Sequence, residues 1–279
     1  MSAPGTVPGK MLPPKTSVAR SQRIEAPLSS NKWDHSGQPI VSEARGHLLV
    51  APVGAASLPS AARPSPRNQY WWWKKRHNLL KQRLLNLKRV DVLFVGDSIT
   101  HYWELAGSAL WDQYFRGLFP FNFGVGGDQT QHILYRLINT DFGKLMPRVA
   151  VVLAGTNNAA LHDGPRAITK GNQQIILTLK KKFPGIVVLL MGILPRGDRP
   201  TGTWRRAAGA NKLMAKFHDG KEVFFIDWTT RFQKGHSVKP WLYKNDSLHL
   251  SNKGYALWGK LLKPLILAHL GKTSRVLAK

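Results

Sequence analysis

The sequence predicts a doubly wound α/β fold: a three-layer α/β/α sandwich with a central parallel sheet of about five strands. Three observations carry this. Short runs that are apolar on both faces recur along the chain, apolar residues at helical spacing lie between them, and polar or glycine-rich clusters follow the runs. A strand apolar on both faces is buried on both faces, as in a parallel sheet covered by helices. Strand–helix alternation then gives the doubly wound arrangement, whose ligands bind beyond the carboxyl ends of the strands.

Taken in order, the chain opens with a segment that resists this pattern. Residues 1–68 hold ten of the 18 prolines, ten serines and no sustained period. Proline removes backbone donors and serine competes for the rest, so this stretch is expected to be a disordered or targeting extension. Its Arg and Ser with few acids resemble a transit peptide, and Leu48 to Ala62 resembles a signal-peptide core broken by Pro52. Because no such core starts at Met1, a soluble cytoplasmic location is the expectation, with export or organelle targeting through the extension as the alternative.

Tyr70 to Leu87 reads as a helix in which Trp71, Trp72 and Trp73 cannot share one face, so one is expected to pack and another to be exposed. The expected strands are Val90–Val95, Phe121–Phe123, Val149–Ala154, Ile186–Met191 and Val223–Ile226. Ile168, Ile175, Leu179 and Phe183 share a helical face, as do Trp258, Leu261, Leu262 and Leu265. Pro264 is expected to kink that last helix. Residues 69–279 thus read as one domain.

Composition narrows the chemistry. The 279 residues include no cysteine, which excludes disulfides, thiolate metal sites and a cysteine nucleophile. His101, His162, His218 and His236 have no metal-ligand spacing. The formal charge is +26. Residues 1–68 contain eight of the 41 Lys+Arg and three of the 15 acids, which leaves 33 basic and 12 acidic residues, or +21, on the body. This charge carries the rival reading, a polyanion-binding protein for nucleic acid, anionic lipid or acidic polysaccharide. No nucleic-acid motif interleaves its bases with aromatics here apart from Trp71–Arg76, so no specific nucleic-acid partner is expected, only weak contact with anionic surfaces.

Four clusters converge on one rim of the expected sheet: Gly96-Asp-Ser-Ile-Thr100, Asn122-Phe-Gly-Val-Gly-Gly-Asp128, Gly155-Thr-Asn-Asn158 and Asp246-Ser-Leu-His249. Ser98 is a candidate nucleophile and equally a helix N-cap. His249 is a candidate base with Asp246 three residues earlier to fix its tautomer; alone, the two also read as a turn pair. The backbone N–H groups of Gly127 and Ser98 and the amide of Asn157 are candidate oxyanion donors, although the glycines alone could simply make a tight turn. A phosphate-binding reading is weak, because the run lacks the GxGxxG spacing and no GxxxxGK(S/T) occurs. His132 reads as a surface or packing residue, and Arg136 and Arg196 as helix-surface or loop salt bridges, with binding of a charged substrate near the rim as the alternative.

These four blocks, with the fuller wording NFGVGGDQTQHILYRL, VVLAGTNN, GILPRG and DSLHLSNKGY, resemble the SGNH (GDSL-type) hydrolase superfamily. The wording is most similar to the platelet-activating factor acetylhydrolase IB catalytic subunits and their bacterial relatives. The resemblance runs from about Trp71 to Leu270. It implies a flavodoxin-like serine esterase acting on short-chain, acetyl-type acyl esters through an acyl-enzyme. In that reading Ser98, Asp246 and His249 are catalytic, and Ser98, Gly127 and Asn157 form the oxyanion hole. It implies no metal or other cofactor, a small acyl-ester substrate and a homodimer. The extension and the strong positive charge have no counterpart in it.

Overall fold

A computed structural model describes residues 58–197 and 200–276, with side chains as far as residue 271. Expectations that fall on residues 1–57 lie outside the described residues.

The described chain begins earlier than the sequence suggests. Residues 58–68 are ordered: Ala61 and Ala62 are buried, and a short 3-10 turn spans Ser60–Ala62. Helix α1 follows at Trp71–Leu85, then strand β1 at Val92–Gly96, α2 at Ser98–His101 and α3 at Ser108–Phe115. Next come β2 at Pro120–Asn122, α4 at Thr130–Ile138, β3 at Val149–Leu153, α5 at Thr156–Ala160 and α6 at Pro165–Lys182. The chain continues through β4 at Val187–Met191, α7 at Gly202–Met214, β5 at Val223–Ile226 and α8 at Thr229–Phe232. A small antiparallel pair, β6 at Gln233–Lys234 and β7 at Ser237–Val238, precedes the final helix α9 at Asn252–Val276. That helix continues through Pro264, so the missing donor does not end it.

Strands β1 to β5 form one parallel sheet in the order β2-β1-β3-β4-β5. Every residue of β1, β3 and β4 is buried, as the two-faced apolar runs require. Alternation then divides the core. Leu93 and Val95 join Trp73, Leu80, Ile133, Ile175 and Met214 under α1, α4, α6 and α7. Val92 and Phe94 join Trp103, Phe115, Trp258 and Leu262 under α3 and α9. Helices therefore cover both faces, and the order reverses between β1 and β3. In such a sheet, that switch point is where a crevice opens beyond the strand ends.

The tryptophan triplet divides as helical geometry demands. Trp73 is 1% exposed and packs in the core, whereas Trp71 is 70% exposed. Among the described residues no helix is long and apolar enough to cross a membrane.

Candidate active site

Strand β1 delivers Ser98 to the switch point. It ends at Gly96, where a side chain would collide with Thr100 and with the Leu153 carbonyl on β3, so the sharp turn into α2 needs glycine. Asp97 caps α2, its Oδ1 accepting the Ile99 N–H at 2.9 Å. The cap of that turn is thus Asp97, and Ser98 is released from capping to face the rim. Asn122, at the end of β2, ties the second block to the first. Its amide donates to the Thr100 carbonyl at 2.9 Å, and its Oδ1 accepts the Gly124 N–H at 2.9 Å.

His249 arrives from the loop before α9, 151 residues later. Its Nε2 lies 2.9 Å from Ser98 Oγ, and its Nδ1 lies 2.6 Å from Asp246 Oδ2. With the Nδ1 proton directed at the carboxylate, Nε2 is left as the acceptor for the serine hydroxyl. The other oxygen, Asp246 Oδ1, accepts the backbone N–H groups of Leu248 at 3.0 Å and His249 at 2.9 Å. Burial works to raise the Asp246 pKa, but the hydrogen bonds from the His249 ring and the two amides outweigh it and hold the carboxyl below its usual range. The Tyr102 ring stacks on His249 with centroids 4.7 Å apart, and Lys244 sits 5.4 Å over the far ring. The structure therefore joins three sequence-predicted side chains in one hydrogen-bonded row.

Gly127 and Asn157 border the same cavity of about 540 Å³ as Ser98 and His249. Gly127 has φ +70°, a conformation that favours glycine. Asn157 donates one amide N–H to the Asp128 carbonyl at 2.9 Å, which orients the amide and leaves a second donor. Its neighbour Asn158 is wholly buried and structural, bonded to Thr130, Gln131 and Asp163. The cavity is completed by Trp72, His101, Tyr102, Leu105, Val125 and Leu248. Burial, reinforced by the nearby Arg76, pushes the His101 pKa down to about 4, so this ring is neutral near pH 7.

Several residues that support the site were read differently from the sequence or not singled out in it. Asp128 is 0% exposed and paired with Arg136, Oδ2 to Nε at 2.7 Å, while its Oδ1 accepts from Trp73 Nε1 at 2.7 Å. Arg136 also donates to the Phe123 carbonyl at 2.7 Å. Arg136, expected in a surface or loop salt bridge, is thus fully buried, since its helix face turns toward the floor of the site. Burial pushes Asp128 up and Arg136 down, with their mutual attraction opposing both shifts. The position of Arg136, eight residues beyond Asp128 on the helix that follows GVGGD, was the available signal. His132 is largely buried and its Nδ1 accepts the Gln129 N–H at 3.0 Å, a cap on α4. Arg196 lies in the loop after β4, close to the Thr156 hydroxyl. Arg67 reaches the site from residues expected to be disordered. Among the described residues, no three His, Cys, Asp or Glu side chains are grouped to hold a metal.

A parallel α/β sheet carrying a hydrogen-bonded serine, histidine and aspartate at its switch point has the organisation of a serine hydrolase. The comparisons agree. A model of the GDSL-like lipase/acylhydrolase family matches residues 94–257, and the chain belongs to that family. It is an ester hydrolase of the SGNH type. The chain is 31% identical over 212 residues to the human platelet-activating factor acetylhydrolase IB subunit alpha2, covering 75% of this chain and 88% of that one. It is 32% identical over 181 residues to the rat subunit alpha1, covering 64% and 76%. A GDSL-like lipase from Bacteroides thetaiotaomicron superposes with TM-score 0.58 at 19% identity, over 69% of this chain and 97% of its own. A carbohydrate acetylesterase family member from Sinorhizobium meliloti gives TM-score 0.52 at 16% identity, over 66% and 100%. These two structures share the fold.

Proposed function

We propose that the protein hydrolyses short-chain, acetyl-type acyl esters through an acyl-enzyme on Ser98. The observation that carries this reading is the unbroken row Asp246–His249–Ser98, with separations of 2.6 and 2.9 Å. Ser98 Oγ attacks the ester carbonyl while His249 Nε2 takes the hydroxyl proton. Asp246 holds the imidazole tautomer and offsets the charge that forms on the ring. The negative charge developing on the carbonyl oxygen is received by the Gly127 and Ser98 N–H groups and the free N–H of Asn157. His249 then protonates the departing alcohol, and water attacks the acyl-enzyme with His249 again as base. Short acyl groups are supported by the relatives named acetylhydrolases.

The experiment is a p-nitrophenyl ester series from acetate to octanoate, run beside a folded Ser98→Ala control. The expected result is highest kcat/KM for acetate or its near neighbours, with the variant reduced by about 10³-fold or more. A maximum at octanoate overturns the acyl-length assignment, and retained turnover in the variant overturns the mechanism.

A further inference from the structure

Residues 58–70 lie outside the stretch matched by the family model, yet they run against the floor of the site. The Ala61 carbonyl accepts the Thr130 hydroxyl at 2.6 Å, and Ser65 N–H donates to the Gln131 carbonyl at 3.1 Å. This strap ends in Arg67. Its guanidinium is pressed against the rings of Tyr70 and Trp72, at 4.8 and 5.1 Å, and its side chain is 14% exposed. Nη1 donates to the Gly126 carbonyl at 3.1 Å and lies 3.9 Å from Asp128 Oδ1. It also fills the space a side chain at Gly127 would take, 2.8 Å from the position of that absent Cβ.

The Gly126 carbonyl and the Gly127 N–H are two ends of one peptide unit. A trans peptide is planar and its C=O and N–H point in opposite directions, so fixing one end fixes the other. Glycine on both sides makes this peptide easy to rotate, because neither residue has a Cβ to restrict φ and ψ. We propose that Arg67 is a positioning residue for the oxyanion hole: by clamping the Gly126 carbonyl, it aims the Gly127 N–H into the site. The cationic donor also polarises the peptide and strengthens that N–H as a donor. Gly126 itself passes close to the nucleophile, since a Cβ there would meet Ser98 Cβ at 3.9 Å. The strap thereby supplies part of the oxyanion geometry from a segment outside residues 94–257, the stretch the family model matches.

This inference rests on the Gly127 role proposed above, and the test separates the two. Arg67→Ala and Arg67→Lys are compared with the unaltered full chain on p-nitrophenyl acetate, with Ser98 titrated by a fluorophosphonate and inhibition measured with phenylboronic acid. The interaction acts in the transition state, so Arg67→Ala should lower kcat about ten- to a hundredfold with KM within about twofold. The phenylboronic acid Ki should rise in the same proportion. Arg67→Lys should recover part of the loss, as a donor without the planar fork. Millimolar guanidinium should partly restore Arg67→Ala. A kcat within twofold of the unaltered chain overturns the inference. So does a loss that follows the fraction of titratable Ser98, which would make the strap a folding element only. If Ser98→Ala also keeps its turnover, the esterase mechanism has failed; if it does not, the failure is confined to Arg67.

Discussion

Two carboxylates near Ser98 are each paired with a nitrogen-bearing side chain, but their surroundings differ. Asp246 is 47% exposed at its side chain and sits on a loop, whereas Asp128 is 0% exposed and sits under the floor of the site. Hydrogen bonds hold the Asp246 carboxyl below its usual range, and burial pushes Asp128 above it. In the proposed mechanism the Asp246 pair works on a histidine that gains and loses a proton, at a rim open to substrate and water. The Asp128–Arg136 pair bridges Trp73 on α1, the Phe123 carbonyl and, through the Asp128 carbonyl, Asn157. It locks the turn that carries Gly127 and has no proton to deliver. The proposed mechanism thus assigns chemistry to one pair and geometry to the other, a division that substitutions can break.

The largest separation is expected from the exposed pair. Asp246→Asn keeps the shape of the loop but favours the wrong histidine tautomer, and should lower kcat by about 10⁴-fold, as in other serine triads. Its melting temperature should stay near that of the unaltered chain. A tenfold effect or less would put another acceptor on His249. The buried pair should behave in the opposite way. Asp128→Ala leaves Arg136 and Trp73 Nε1 without their partner and should cost about 3–5 kcal/mol of stability, read by urea unfolding. A cost below about 1 kcal/mol would show that the pair does not hold the floor.

Asn157 stands between the two regions, since it takes its orientation from the Asp128 carbonyl and borders the same cavity as Ser98. Asn157→Ala should reduce kcat on the order of a hundredfold with little change in stability. A change under threefold would remove it from the oxyanion hole.

The smallest effect concerns Asp97, which is 0% exposed, with Oδ1 capping α2 and Oδ2 buried without a partner. Burial pushes its pKa up to about 7. The folded value lies above the unfolded value of about 3.9, so the folded chain holds this proton more tightly. Its stabilising contribution is complete below about pH 4 and is lost as pH rises toward about 7. Asp97→Asn keeps the cap without the charge. It should raise the melting temperature by a few degrees, or about 1 kcal/mol, at pH 8, with the gain vanishing near pH 4. Equal gains at both pH values would contradict the shift.

The proposed catalytic row and oxyanion donors were more legible in the sequence than the groups that support them. Ser98, Gly127, Asn157, Asp246 and His249 lie in short local blocks, and the two-faced apolar runs fixed where the strands would bring those blocks together. The buried supports were harder to read. Arg136 on α4 and Arg67 on the strap look like ordinary surface cations in a chain of charge +26. Their partners lie across turns, with 59 residues separating Arg67 from Gly126. The composition of residues 1–68 also concealed the strap. Ten prolines and ten serines argue against a core of their own, yet a short extended segment needs only two buried alanines and a few borrowed hydrogen bonds to dock on a core built elsewhere.

The proposed reaction stands on an acyl-enzyme at Ser98, activated by His249. The direct measurement is peptide mapping by mass spectrometry after reaction of the full chain with a fluorophosphonate at pH 7, in parallel with Ser98→Ala. One adduct per chain is expected, located on Ser98, with turnover of p-nitrophenyl acetate lost in step with labelling and neither adduct nor turnover in the variant. An adduct on another residue, or turnover that survives complete modification of Ser98, would contradict it.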